Sequence, residues 1–200
     1  DKLVTGVQTC ALPIWMAATA PTCPAPAAGT ISIGEPDHSS SERVRSISAL
    51  LESAGYNAPV SPDIHKAAWI KLVGSNLASF AICTLLEQPL LVFSKNPELA
   101  ALSRNILREG LAVAAAWGHT LELDPLGAQD PVRLATAHKP SMAHDMERRR
   151  PLEIDAVLTV VQKFARAAEV PTPHLDAVLA LLVRSEEHTS ELQSLAYLVC

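Results

Sequence analysis

The sequence predicts a mainly helical protein that follows a short α/β segment. From Pro62 onward, apolar residues recur at helical spacing over roughly 120 residues. Before that point, Thr30–Ile33 alternates polar and apolar residues as a strand does, and Gly55 ends a helix predicted from about Ser40 to Ser53. A second short strand is predicted just before Pro59. The early segment is therefore expected to be a strand, a helix and a strand.

The first long helix of the helical part is predicted from Ser61-Pro62-Asp63 to about Leu86. A side-chain oxygen, a proline and an acid in this order are typical of a helix start. At about 100° per residue, one face of this helix is apolar. The other face carries small and polar residues: Lys71, Gly74, Ser75, Ala78 and Ser79. Such a face leaves room for a small ligand beside the lysine, although a surface lysine beside a close helix contact would give the same pattern.

Later helices follow from the same periodicity. A core helix is predicted from Pro97 to about Trp117, and the polar stretch Leu123–Lys139 is predicted to contain one short helix. Another helix should begin near Pro151, because proline fits the first helical turn and apolar residues then recur at helical spacing. A last helix is predicted from Pro173 to Val183.

Two polar side chains flank the loop-to-helix junction near Pro151. Ser141 and Glu153 lie twelve positions apart, and Glu153 falls in the first turn of the predicted helix. The positive end of the helix dipole favours the charged form of a carboxylate there. Acids are also common in first turns for stability alone, so Glu153 indicates a functional site only together with other residues.

Several spaced motifs provide the other residues that Glu153 needs to indicate a functional site. Trp69-x-Lys71-Leu72 with its serine-rich continuation, Lys139-Pro140-Ser141-Met142, Glu153-Ile154-Asp155 and Pro171-Thr172-Pro173 occur in this order after Gly29–Glu35. Together they resemble the C-terminal domain of the ketopantoate reductase (2-dehydropantoate 2-reductase) family, over most of the chain. The resemblance implies a helical domain of the 6-phosphogluconate-dehydrogenase-like type, preceded by a short α/β remnant of a Rossmann domain.

The resemblance also implies a function. It implies an NADPH-dependent reductase of a small 2-oxoacid in pantothenate biosynthesis, in which Lys71 protonates the carbonyl oxygen as hydride reaches the carbonyl carbon. Ser141 corresponds to the family's substrate-holding serine, and His144 would line the same pocket. Glu153 corresponds to the family's acid at the boundary of cofactor and substrate.

The sequence departs from the family at two positions. The family usually places asparagines four and eight positions after the lysine, where this chain has Ser75 and Ser79. Asn76 comes one position late, and on a regular helix it lies roughly 140° from Lys71, so only a π-bulge would bring it into register. We therefore assign Ser75 and Ser79 to substrate binding. Hydroxyls replace amides in this interpretation, which leaves both ketopantoate and a related 2-oxoacid open as substrate.

A phosphate-cradling Gly-x-Gly-x-x-Gly turn is missing from the sequence. No two glycines lie two positions apart, and the nearest pair is Gly29 and Gly34. The isolated chain is therefore expected to bind NADPH weakly and to be inactive.

Both chain ends resemble translations of opposite strands of one sequencing-library adapter, over residues 4–14 and 184–194. Residues 1–14 and 184–200 are accordingly predicted to be artefacts and are set aside from fold reasoning. Residues 15–61 are predicted to be the C-terminal remnant of the dinucleotide-binding domain. Residues 62–183 are predicted to be the helical substrate and catalytic domain.

Composition argues against several other functions. The formal net charge is -5, and the run Arg148–Arg150 is too short to form a nucleic-acid surface. The apolar helices contain polar residues before the roughly 20 residues that a membrane span needs. His138, His144 and Asp145 do not have zinc-ligand spacing, so no metal is expected. Outside the suspect ends only two cysteines occur, Cys23 and Cys83, which is typical of free thiols in the cytoplasm.

Two alternatives stay open from the sequence. The helical part could be a non-catalytic dimerisation or scaffold module, or it could belong to another branch of hydroxyacid dehydrogenases. A homodimer is compatible with either function. In a scaffold, Lys71 and Glu153 would face unrelated surfaces, whereas in a reductase they would border one cleft with Ser141.

Overall fold

The computed structural model describes residues 30–124 and 137–198, with side chains through residue 186. The chain divides into two compact units, Asp1–Ala68 and Trp69–Cys200. Each unit is described by itself. The predicted domain boundaries at residues 14, 61 and 183 stay predictions.

The described part of the first unit contains the predicted helix, but the two predicted strands do not form. Two parallel bridges pair Thr30 with Asn57 and Ile33 with Val60, in place of regular strands. Helix α1 lies between them at Glu42–Ser53, and its N-terminus is capped by the Ser41 hydroxyl, which accepts a 3.1 Å bond from the Val44 N–H. A small core of Ile31, Ile33 and Val44 holds the bridges against α1.

The motif Gly29–Glu35 ends in a local polar cluster. Glu35 is only 7% exposed, and it accepts hydrogen bonds from the Arg43 guanidinium and the Ser41 hydroxyl. The Arg43 contact lowers the pKa of the Glu35 carboxyl, and the Ser41 contact adds to this. A Cβ at Gly34 would lie 2.9 Å from the Ser61 carbonyl oxygen, so this position requires glycine. The motif therefore holds the first unit together.

The remaining elements are helical. The long stretch predicted from Ser61 comprises α2 (Ile64–Lys71), a π-helical segment π1 (Leu72–Phe80) and α3 (Ala81–Leu86). Asp63, rather than Ser61, caps its start by accepting a 2.8 Å bond from the Lys66 N–H. The helices that follow are α4 (Leu91–Lys95), α5 (Pro97–Ala116), α6 (Ser141–Glu147), π2 (Asp155–Thr159), α7 (Val160–Ala167) and α8 (Pro173–Leu198).

The mainly helical fold class is thus confirmed, and the periodicity located its principal helices. The prediction was wrong in treating Ser61–Leu86 as a regular α-helix, because π1 interrupts it. The short helix predicted in Leu123–Lys139 falls mostly on residues 125–136, which lie outside the described residues. Helix α4 was not predicted, since it is only five residues long.

The core of the second unit lies where α5, α3 and α8 pack around π1 and π2. Its fully buried side chains include Leu77, Ile106, Leu158, Leu175 and Leu182. Close approach of α5 to π1 depends on Gly110, whose Cβ would lie 2.7 Å from Leu77 Cδ2 and 2.9 Å from Val73 Cγ1. The apolar face of π1 is therefore held tightly, which fixes the direction of its other faces.

By length and apolar composition, Ile64–Leu86 is the one helix among the described residues that could cross a membrane, with a mean hydropathy of 1.5. Ala81, Ile82 and Cys83 on this helix are buried in the core instead. A core helix passes the same test, so the observation is weak evidence for a span. Cys83 is a free thiol, and burial raises its pKa to about 12. Cys23 lies outside the described residues.

Candidate active site

Lys71 is the last residue of α2 and comes directly before π1. Its side chain is half-buried. Among the described residues, no hydrogen bond or ion pair to its ammonium group is recorded.

The π1 segment changes which residues share a side with Lys71. A π-helix closes its hydrogen bonds five residues back, so one turn takes between four and five residues instead of 3.6. Asn76, five positions after Lys71, moves toward the lysine side and shares it with Ser75. Two π turns take about nine residues, which brings Phe80 into line with Lys71. Asn76 could replace the family's asparagine four positions after the lysine only in a π register. The π1 segment provides that register.

The small-residue face predicted from an α-helical register is largely covered. A Cβ at Gly74 would lie 3.1 Å from Leu123 Cδ1, and Ala78 is fully buried. Ser79 is only 5% exposed, whereas Ser75 is half-buried. A ligand beside Lys71 would therefore meet Ser75 before Ser79.

Ser141 is the first residue of α6 and is exposed. The two residues after it, Met142 and Ala143, are buried and fix the helix to the core. The chain that leads to it is also anchored, because the His138 carbonyl accepts a 3.0 Å bond from the Leu90 N–H. The His138 ring lies 6.4 Å from the Phe80 ring, centroid to centroid. This contact places the loop before Ser141 beside the end of π1.

His144 lies one turn after Ser141 on α6 and is exposed. Its Nδ1 is 3.5 Å from Glu147 Oε2, and Lys139 donates a hydrogen bond to Oε1 of the same carboxylate. The Lys139 contact is the main cause that lowers the pKa of the Glu147 carboxyl, with a smaller contribution from His144. The Glu147 carboxylate therefore contacts Lys139, which precedes Ser141, and His144, which follows it.

Glu153 is exposed and stands just before the helical turn that opens π2. Its carbonyl accepts a 3.1 Å bond from the Val157 N–H, so it lies at the start of this helix as predicted from Pro151. The preceding N–H, of Leu152, is bonded at 2.8 Å to Glu186 Oε1. These contacts fix the backbone of Glu153 and leave its carboxylate in solvent.

The elements next to the predicted site residues pack in two pairs. π1, which follows Lys71, packs against π2, which begins two residues after Glu153. Helix α3 packs against α6, which begins at Ser141. No hydrogen bond joins the three described side chains of Lys71, Ser141 and Glu153.

The α-helical register predicted from the sequence placed the two serines beside Lys71 and Asn76 away from it. The signal was present, because an asparagine one position late is what a one-residue helix expansion produces. It could not be used alone, since local sequence does not show whether the i→i+5 register forms. No cluster of three or more potential metal ligands occurs in the described ranges.

Comparison with known proteins decides the family. Residues 63–186 match the family described as the C-terminal domain of ketopantoate reductase PanE/ApbA. The chain belongs to this family. A 2-dehydropantoate 2-reductase of Mesorhizobium japonicum is 38% identical over 156 residues, which are 76% of this chain and 47% of that protein.

Solved structures of ketopantoate reductases share the fold. The 2-dehydropantoate 2-reductase of Methylococcus capsulatus aligns with a TM-score of 0.72 and 31% identity, over 82% of this chain and 53% of its own. The Staphylococcus aureus ketopantoate reductase, described as dimeric, aligns with a TM-score of 0.67 and 24% identity, over 80% and 54%. The chain spans about half the length of the curated relatives it matches.

Proposed function

We propose that this chain supplies the proton donor and the substrate-binding residues of an NADPH-dependent 2-oxoacid reductase. The observation that supports this most is the placement of Lys71. Within the described part of the chain no side chain pairs with its ammonium group, and it directly precedes π1, the element that packs against π2.

The chemistry of an ammonium group suits this role. As the carbonyl carbon accepts a hydride, negative charge develops on the carbonyl oxygen. The positive charge of Lys71 stabilises that oxygen, and a proton from Nζ then converts it to a hydroxyl. The half-buried position strengthens both effects, because charges interact more strongly where water is partly excluded.

The remaining residues hold the substrate. We propose that the Ser141 hydroxyl donates to the oxoacid and that His144 lines the same pocket. Ser75 stands one turn beyond Lys71, and the π register adds Asn76 as a second polar group there. Ser79 is the weaker candidate of the two serines because it is nearly buried.

NADPH, when bound, supplies the hydride. The phosphates of a dinucleotide need a glycine-rich turn at a helix start, and the 200 residues contain no Gly-x-Gly-x-x-Gly. The residues of this chain therefore do not fit the whole cofactor. We propose only that the Glu153 carboxylate borders the cofactor where it meets the substrate.

We further propose a cytoplasmic protein that acts on ketopantoate or a related 2-oxoacid. A homodimer is proposed from the dimeric Staphylococcus aureus relative. Sedimentation analysis of the purified protein checks this assembly, and a single monomeric species at micromolar concentration would contradict it.

Lys71→Ala tests the proton donor in the full-length reductase that carries this sequence. We expect kcat to fall by about 10²–10⁴-fold, as the loss of a general acid does. Oxidation of NADPH in the presence of a 2-oxoacid, followed at 340 nm, measures the effect. Lys163→Ala, which removes an exposed lysine of α7, is the control and should retain activity.

Equal kcat values for the two variants would exclude Lys71 as the acid. A wild-type protein that oxidises no NADPH with any 2-oxoacid would instead support the scaffold alternative.

A further inference from the structure

Three polar side chains share the exposed side of α6. Ser141, His144 and Glu147 are spaced three residues apart, so they follow one another along one side of the helix. All three are exposed, whereas Met142 and Met146 are buried in the core. The Glu147 carboxylate therefore lies one turn beyond His144, which lies one turn beyond the residue proposed to hold the substrate.

Glu147 is held in place from the other end of the helix. Lys139 comes two residues before Ser141, and its ammonium group donates a hydrogen bond to Glu147 Oε1. The Lys139 side chain is only 16% exposed and Pro140 is fully buried, so the lysine has little freedom to move. The helix dipole does not explain this pair, because it favours acids in the first turn and cations in the last. The contact fixes the carboxylate and balances its charge.

The second oxygen of this carboxylate faces His144. Glu147 Oε2 lies 3.5 Å from Nδ1 of His144, and contacts of this kind often shorten when a substrate binds. Asp145, the neighbouring acid, pairs with Arg150 at 3.7 Å instead. An acceptor beside Nδ1 favours a proton on that nitrogen and fixes the orientation of the ring. Nε2 is then the nitrogen left for a ligand.

We propose that Glu147 is a positioning residue for substrate binding, which orients His144 so that Nε2 contacts the oxoacid held at Ser141. This inference rests on the proposed reductase function. Glu147 itself does not touch the substrate. An unpaired carboxylate would repel an anionic oxoacid, and the Lys139 ammonium group offsets that charge. Because Lys71 is the proposed proton donor, Glu147 is expected to affect KM and not kcat.

Glu147→Gln tests this arrangement in the full-length reductase. The amide has the size of the carboxylate but no charge, so it is a weaker acceptor for both of its neighbours. We expect KM to rise by about tenfold, the loss of one hydrogen bond to a charged group, while kcat changes by less than about twofold. Initial rates of NADPH oxidation measure both constants, with the better of two substrates, ketopantoate and 4-methyl-2-oxopentanoate. Glu98→Gln, at an exposed position of α5, is the matched control and should change neither.

Two further comparisons separate positioning from folding. In a His144→Ala background, Glu147→Gln should raise KM by less than about twofold, because the residue through which it acts is gone. Lys139→Glu combined with Glu147→Lys exchanges the ion pair. The exchange should preserve Tm but leave KM raised by about tenfold, since an ammonium group at position 147 cannot accept a hydrogen bond from Nδ1. Thermal unfolding shows whether each variant is folded.

The outcomes distinguish the two proposals. An unchanged KM in a folded Glu147→Gln variant overturns the inference and leaves the reductase function intact. Additive effects of His144→Ala and Glu147→Gln on KM also overturn it, and so does a wild-type KM in the exchanged pair. A wild-type protein that reduces neither substrate overturns the reductase function, and the inference falls with it.

Discussion

Two glutamates of the helical unit stand beside the start of a helix, and they are used in opposite ways. Glu109 of α5 is 9% exposed, and its carboxylate accepts 2.9 Å bonds from the N–H groups of His174 and Leu175 at the start of α8. The His174 ring adds a 2.6 Å contact, and Asn105 contacts its other nitrogen at 3.3 Å. Glu153, by contrast, is exposed before π2.

The difference separates a carboxylate that stabilises the fold from one that is proposed to act on a ligand. The Glu109 carboxylate satisfies N–H groups that would otherwise lack a partner, and it joins two helices distant in sequence. The Lys71 and Glu153 side chains satisfy no such need. Polar groups that stabilise the fold are buried and hydrogen-bonded within it. Those proposed to act on a ligand are accessible.

Glu109→Ala is expected to have the largest effect on stability. It leaves the first N–H groups of α8 and the His174 ring without their buried acceptor, which should lower the free energy of unfolding by about 3 kcal/mol. Urea denaturation measures it. Glu153→Ala is the matched control and should change the value by less than about 0.5 kcal/mol. Similar losses in both variants would show that the two carboxylates do not differ in this way.

Gly110→Ala tests the packing that fixes the direction of π1. Alanine normally stabilises a helix interior by about 1 kcal/mol relative to glycine. Here its Cβ would lie 2.7 Å from a fully buried Leu77 side chain, so we expect a net loss of about 1–2 kcal/mol.

Gly74→Ala is the comparison for that variant, measured by thermal unfolding. Its Cβ would meet only the end of the Leu123 side chain at 3.1 Å, which can move, so the loss should be smaller. A stabilised Gly110→Ala protein would contradict the close contact between α5 and π1.

The smallest effect is expected at Glu147, beside Ser141. Its pKa is lowered from 4.5, chiefly by the hydrogen bond from Lys139. The stabilisation from this contact is therefore fully present above about pH 4.5 and is lost as the pH falls through the lowered pKa. Glu147→Gln should reduce the loss of stability between pH 5 and pH 3, measured by urea denaturation.

Glu52→Gln, at an exposed position of α1, is the control for this pH dependence. An unchanged pH dependence in Glu147→Gln would show that the Lys139 contact contributes nothing to the folded state.

Much of the fold could be predicted from sequence because the apolar pattern is local and strong. The periodicity gave the helix that begins at Pro97, and the Pro173 helix began where predicted. The cap of α2 was misplaced by two residues, since Ser61 and Asp63 are both capable of capping and only the backbone decides between them.

The candidate site was predicted in part. Lys71, Ser141 and Glu153 come from motifs, and their joint role in one site stays a prediction. The register between Lys71 and its companions could not be predicted from an α-helical period. Ser79, chosen as a companion of Lys71, is only 5% exposed, and Asn76 was placed away from the lysine.

The sequence by itself determined that the chain is helical, where its main helices begin, and which residue types stand at the proposed site. Propensity, capping and apolar spacing are properties of neighbouring residues, so they can be read along the chain. Only the tertiary structure decided that Leu72–Phe80 is a π-helix. A wider turn loses little when helices on several sides bury its apolar residues, and that burial depends on residues such as Gly110 that are distant in sequence.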